Sequence, residues 1–210
     1  LPPSSYLLHD QRSQRKSKPS ALQPFRYLLF NSSVEARKNL LFLVKAFAQS
    51  GLGREGVRLC VTGKLKSDAY SKAVKEVVAN EPAILLTGYV DEATKLDLYL
   101  NALALLSPSL VEGFGIPVLD AACLGLPALA SSCDAHREIH DLFDFRDYVL
   151  PISILETRDW ANAMDATACL HEHLADAPEQ ERMQRLRRYL RMSAQIEARF
   201  EDQIAQLMLS

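Results

Sequence analysis

Glu112 and Asp120 bracket Gly113, Phe114, Gly115, Ile116 and Pro117 at the head of an apolar run that reaches Leu126. Two acids around a glycine-rich loop that opens a helix suit a polyanionic, hydroxyl-bearing ligand. Gly113 and Gly115 lack Cβ atoms, so the backbone there can bend sharply and approach a ligand closely. Pro117 fits a first helical turn, where its missing N–H would have had no intrahelical partner. The amides of Phe114, Gly115 and Ile116 then face outward at the positive end of the helix dipole, as phosphate requires. Helical spacing puts Asp120 about one turn inside, within reach of a sugar hydroxyl.

A polyanion also needs cations, and Arg37 and Lys38 supply them within Glu-Ala-Arg-Lys-Asn-Leu-Leu, residues 35–41. Charge-assisted bonds from Arg and Lys to phosphate are the strong kind. At the start of an ordinary helix both side chains would oppose the dipole at a cost of a few tenths of a kcal/mol. An anionic ligand reverses that sign.

These residues need a scaffold that brings them to one place. Apolar β-rich runs predict strands over residues 26–31, 57–62, 83–87, 102–106, 128–130 and 148–150. Between them, helical patterns run over 38–50, 68–79, 92–100, 116–124, 135–140 and 157–173. Such alternation indicates βαβ units, and so an α/β fold: a Rossmann-like parallel sheet with helices on both faces. Ligands of such sheets bind beyond the carboxyl ends of the strands. Arg37, Lys38, Gly63, Gly88 and Glu112 all fall there, which argues for one shared site. From Pro178 a long C-terminal helix follows, with an expected apolar stripe of Met183, Leu186, Leu190, Ala194, Ile204 and Leu207. The division is therefore a linker or surface segment over 1–24, a Rossmann-like domain over 25–177, and the helix over 178–210.

Composition narrows the classes. A chain of 210 residues, 48% apolar and with a net charge of −2, has material for one sizeable core and no charge excess that names a partner. Nothing resembles a nucleic-acid-binding module, and there is no apolar run long enough to span a bilayer. Cys60, Cys123, Cys133 and Cys169 lack metal or redox spacing; Cys60 and Cys123 read as small buried residues in a reduced, cytoplasmic setting. His171 and His173 point in different directions on a helix, so no metal site is expected. Arg182, Arg185, Arg188 and Arg191 read as a solvated helix face, with peripheral contact to an anionic membrane surface as the second reading. His136 is expected at the surface.

Residues 86–127 contain, in order, Leu-Thr-Gly-Tyr-Val, Leu-Tyr-Leu-Asn-Ala, Ser-Pro-Ser-Leu-Val-Glu-Gly-Phe-Gly-Ile-Pro and Val-Leu-Asp-Ala-Ala-Cys-Leu-Gly-Leu-Pro. The ordered series resembles the C-terminal, nucleotide-sugar-binding half of a family 4 retaining glycosyltransferase of GT-B fold. Arg37-Lys38-Asn39 is similar to that family's phosphate-gripping segment, and the likeness covers residues 27–168. Two departures stand out: the second acid is Asp120, where the family has Glu, and Ser32-Ser33 stands where many members have Gly-Arg.

The resemblance implies transfer of a sugar from a nucleoside-diphosphate sugar with retention, without metal or other cofactor, the donor being a substrate. By that likeness Lys38, Arg37 and Glu112 are catalytic. Gly113, Phe114, Gly115, Ile116 and Asp120 hold the donor, with Gly63 at a further strand end, and the turn of Tyr89 and Val90 lies near the nucleotide base and contacts it through backbone. Glu138 resembles a further acid of the family, with an exposed helix-start carboxylate as the equal alternative. The acceptor would be a glycan or a lipid-linked sugar in surface polysaccharide assembly, at the inner face of the membrane. Its pocket belongs to an N-terminal GT-B half that these residues do not contain; the chain opens at Leu1 without Met and reads as a piece of a longer protein. The two departures keep open an alternative, a degenerate scaffold or nucleotide-binding module without catalysis. A sugar-nucleotide epimerase of the same fold, which lacks the loop signature, ranks last.

Overall fold

Successive residues of the apolar runs go to opposite sides of a sheet. In β1 (Tyr27–Asn31), Tyr27 and Leu29 join one core while Leu28 and Phe30 join the other. The same alternation separates Cys60 from Leu59 and Val61 in β2 (Arg58–Thr62), and Leu105 from Ala104 and Leu106 in β4 (Ala104–Ser107). A strand apolar on both faces must be covered on both. The computed structural model describes residues 25–141 and 145–209, and the segment expected as a linker over 1–24 lies outside them. With β3 (Ile84–Gly88), β5 (Ala128–Ser131) and β6 (Val149–Ile152), the strands form a parallel six-stranded sheet of order β3-β2-β1-β4-β5-β6.

Helices α1 (Leu40–Ser50), α2 (Ala69–Val78) and α6 (Thr157–Leu170) cover one face, with Trp160 fully buried beneath them. The other face carries α3 (Glu92–Asn101), α4 (Ile116–Leu124), α5 (Asp134–Asp141) and α7 (Glu179–Leu209). All six expected strands are present with shifts of one or two residues at their ends. Two helices fall short of their patterns by two residues or more at one end. The 38–50 pattern starts at Leu40 because Asn39 adopts a left-handed conformation, φ 56°, which cuts off a 3₁₀ turn at Ala36–Lys38. The 157–173 pattern ends at Leu170, and a 3₁₀ segment, Glu172–Asp176, turns the chain toward α7.

The expected face of α7 needs correction. Met183, Leu190 and Ile204 are 41%, 46% and 56% exposed, whereas Arg185, Tyr189, Ser193 and Ile196 are buried. Arg185 and Arg188 are not a solvated row either. Arg185 donates to the carbonyls of Leu100 (2.8 Å) and Leu124 (3.1 Å), and Arg188 to those of Ala122 and Cys123 (2.7 Å). Those carbonyls end α3 and α4, where intrahelical partners run out and the dipole is negative, so a guanidinium is worth burying there. Arg188 also lies over the Tyr148 ring at 4.3 Å, and Arg182 pairs with Asp97 at 2.8 Å. A membrane surface would therefore find Arg182, Arg185 and Arg188 already committed.

Candidate functional site

In the strand order β3-β2-β1-β4-β5-β6 the winding reverses between β1 and β4, and loops leaving those two strands diverge to open a crevice. A cleft of about 440 Å³ lies there, lined by residues of the β1 exit (Asn31, Ser32, Ser33, Arg37, Lys38), the β4 exit (Glu112, Phe114–Pro117, Asp120) and α3 (Glu92, Lys95). The two exits are stitched together by the Leu110 amide, which donates to the Arg37 carbonyl at 2.8 Å.

The 3₁₀ turn before Asn39 decides how the cations are used. It turns Lys38 inward, 5% exposed, and leaves the Arg37 side chain 47% exposed. Lys38 Nζ donates to Glu112 Oε1, which also accepts from the Ser109 hydroxyl at 2.8 Å. Arg37 Nη1 stands 3.5 Å from Glu112 Oε2 and its Nε bonds Glu35 at 2.9 Å. Burial alone would lift the Glu112 carboxyl. The hydrogen bonds from Lys38 and Ser109, with the Lys38 charge, outweigh it and hold the group below its ordinary value. An ammonium has three donors and Glu112 takes one, so Lys38 can meet a phosphate without leaving its partner.

The loop between the acids is shaped from beneath. Gly115 caps α4 in the left-handed region, φ 76°, and no side chain caps that helix. A Cβ on Gly115 would come within 3.0 Å of His136 Cδ2 and Ile139 Cδ1. His136 is accordingly buried, not at the surface as expected, and its imidazole bonds Ser131 O at 3.0 Å. Burial holds its pKa below the ordinary value and so keeps it neutral. The ring is a support for the loop. Glu138 on the same helix is exposed.

Asp120 lies on the cleft floor, 6% exposed, accepting from the Tyr189 hydroxyl at 3.1 Å. Burial pushes its carboxyl up to about 7, with Tyr189 and Lys95 pulling down and Glu92 adding to the rise. Lys95 Nζ is 2.6 Å from Glu92 Oε2, an ionic contact without hydrogen-bond alignment.

The cleft thus gathers Arg37, Lys38, Glu112, Phe114, Gly115, Ile116 and Asp120. Gly63, Tyr89, Val90 and Gly113 do not line it. Tyr89 projects into solvent, 77% exposed, and Val90 packs on the core. Gly63 works on the frame: its N–H donates to Gly88 O at 2.9 Å, and at φ 140° a Cβ would fall 1.8 Å from the Ser32 carbonyl oxygen. Gly63→Ala is therefore expected to cost about 2 kcal/mol, a fall of roughly 4–8 °C in Tm, measured by thermal unfolding without ligand. An unchanged Tm would show that the β1 and β2 exits are not packed this closely.

Sequence reasoning missed Asn31, Glu92, Lys95 and Tyr189. Asn31, whose Nδ2 donates to the Tyr99 hydroxyl at 2.9 Å, carried a legible signal as the last residue of a central strand. So did Glu92 and Lys95, an i,i+3 pair on the helix after Gly88. Tyr189 had none.

Among the described residues no three His, Cys, Asp or Glu groups gather as metal ligands, and no helix is long and apolar enough to cross a membrane. A family model described as glycosyl transferases group 1 matches residues 10–149. The O-antigen chain mannosyltransferase B of Escherichia coli is 30% identical over 115 residues, 54% of this chain and 30% of that protein. The chain therefore spans under a third of that relative's length. A glycosyltransferase from Rickettsia africae has the same fold over 89% of this chain and 48% of its own, with TM-score 0.67 and 18% identity. Anabaena HepE in complex with UDP covers 89% of this chain and 50% of its own, with TM-score 0.66 and 14% identity.

Proposed function

The chain belongs to the group 1 glycosyl transferases, and on that premise we propose that it is the donor-binding half of a retaining GT-B enzyme that takes its sugar from a nucleoside diphosphate. The observation that carries this reading is the cleft itself. It joins Lys38, the uncapped α4 N-terminus and the acids Glu112 and Asp120 at the sheet's switch point, from segments more than seventy residues apart. Lys38, helped by Arg37, neutralises the diphosphate and stabilises it as a leaving group when the glycosidic bond breaks. The amides of residues 114–116 hold the distal phosphate and sugar. Glu112 bonds the donor-sugar hydroxyls or steadies the oxocarbenium-like charge, and Asp120 accepts from the ribose.

A hexose donor and a glycan or lipid-linked acceptor in surface polysaccharide assembly fit the O-antigen relative's name, and a nucleotide donor fits the UDP in the HepE structure. The acceptor pocket and turnover then depend on a further half, at the cytoplasmic side of a membrane. One observation favours a degenerate, non-catalytic module instead: the second acid is Asp120, one methylene short of glutamate, and it is only 6% exposed.

Thermal unfolding against UDP-, GDP- and ADP-sugars separates the two. Ligand at a hundredfold excess over Kd adds about 2.7 kcal/mol, a rise of roughly 5–10 °C for a chain of this size. A rise with one nucleotide, cut to about half in Lys38→Ala at the same concentration, identifies the base. No rise with any of them overturns donor binding by this chain.

A further inference from the structure

We infer that Tyr189 is a positioning residue of the donor site: from the C-terminal helix its hydroxyl orients the Asp120 carboxylate toward the ribose of the nucleotide. The inference rests on the donor reading of the cleft, and adds to it a residue 69 positions beyond the acid it serves.

Asp120 lines the cleft yet is 6% exposed, and the Tyr189 side chain behind it is fully buried. The phenol oxygen donates to Oδ1 at 3.1 Å. A carboxylate has about four acceptor positions, so a donor on one oxygen fixes the plane of the group while leaving the rest for hydroxyls in the cleft. For an acid one methylene shorter than glutamate, a fixed orientation matters more than reach.

The helix that carries Tyr189 is itself held in register. Arg185 and Arg188 grip the carbonyl ends of α3 and α4, four residues before and one before the tyrosine. Farther along, Ile196 is buried in the same core and the Phe200 ring meets Phe114 at 5.8 Å. One helix thus touches both ends of the donor loop, Phe114 through a ring contact and Asp120 through a hydrogen bond. Tyr99, Lys95 and Glu92 from α3 and Cys123 on α4 also face the carboxyl. Of the groups that bond it directly, Tyr189 lowers its proton affinity.

The test compares wild type with Tyr189→Phe, which deletes one oxygen. Calorimetric titrations use UDP, GDP and ADP, their 2′,3′-dideoxy counterparts, and inorganic pyrophosphate. Wild type is expected to prefer the ribose form of its nucleotide by about 10-fold, the size of one hydrogen bond to a charged acceptor. Tyr189→Phe should erase most of that preference and leave dideoxy and pyrophosphate binding unchanged. The Asp120 carboxyl carbon, followed by NMR, should titrate at higher pH in the variant. A variant that keeps the preference, or one that loses ribose and dideoxy forms equally, overturns the positioning role. If Tyr189→Phe does not fold, the wild-type Tyr189 ring carbon next to the hydroxyl supplies the readout: it should shift on adding the ribose nucleotide and not the dideoxy form, and equal shifts would overturn the proposal. Wild type that binds none of these probes overturns the donor reading itself, and this inference with it.

Discussion

Lys38→Met, placed in a protein that also carries an acceptor-binding half, is expected to lower turnover by about 100- to 1000-fold and donor affinity by only about 10-fold. Methionine keeps the unbranched apolar stem that fills the space under the cleft and removes the charge. The asymmetry follows from when the ammonium is most needed. On the proposed donor reading the ground-state diphosphate would also have Arg37 and the α4 amides, while Lys38 already has Glu112 as partner. As the glycosidic bond breaks, negative charge grows on the leaving phosphate, and a cation held 5% exposed meets it with little water to screen it. Only interactions stronger in the transition state raise the rate. Steady-state kcat beside a directly measured donor Kd decides the matter: equal losses in both would mean that Lys38 serves binding alone.

The same substitution has a stability consequence with a defined sign. In wild type Glu112 is held below its ordinary 4.5, so its contribution is in place above that pH and is lost as pH falls through the lowered value. With Lys38 gone, burial is left to act and the carboxyl rises. The variant should then lose about 2 kcal/mol near neutrality, less than the 3–5 kcal/mol of a stranded buried charge because Ser109 and Arg37 still face Glu112. That deficit should close as pH falls through the lowered wild-type value, below which the carboxyl is neutral in either state.

What could be read ahead of the structure was local. The bounds of α4 follow from Gly115, Pro117 and Gly125, three residues whose backbone preferences act within one turn. The strands announced themselves because a sheet covered on both faces needs unbroken apolar runs. Lys38 was placed at the cleft, but its burial was hidden: the break at Asn39 comes from a single left-handed residue that hydrophobic periodicity does not register. For α7 the failure has a chemical origin. Its buried row is Arg185, Tyr189, Ser193 and Ile196, of which Arg185 and Ser193 are polar and Tyr189 carries a polar hydroxyl. Long amphipathic side chains pack their stems and deliver their heads to carbonyls and a carboxylate, so the helix buries the face that a hydropathy stripe assigns to water. The Tyr189–Asp120 bond, a product of tertiary packing alone, lay beyond any spacing rule.

Asp120→Asn should make the unliganded chain more stable at pH 8, by about 4 kcal/mol, and change it little at pH 4. The acid ordinarily titrates at 3.8, and burial lifts it to about 7 in the fold. Between those values the folded chain holds a proton that the unfolded chain has released, so stability falls as pH rises. Below 3.8 both states are protonated and the acid is harmless; above 7 both are ionised and the full cost is present. Each tenfold change in proton affinity is worth about 1.4 kcal/mol, and the rise spans about three. Asparagine does not titrate and still offers Tyr189 a carbonyl oxygen at the same place. Thermal unfolding at pH 4, 6 and 8 should therefore show a wild-type decline that the variant lacks, reaching roughly 8–16 °C between them at pH 8. Parallel curves would mean that water or a mobile neighbour already relieves the charge. The gain is expected to be paid in function. A neutral amide no longer accepts as strongly from two ribose hydroxyls, so the stabilised variant should bind the ribose nucleotide less well than wild type above pH 7. An acid kept in a place where it destabilises the fold, and replaceable by a residue that does not, is what a site retained for its ligand predicts.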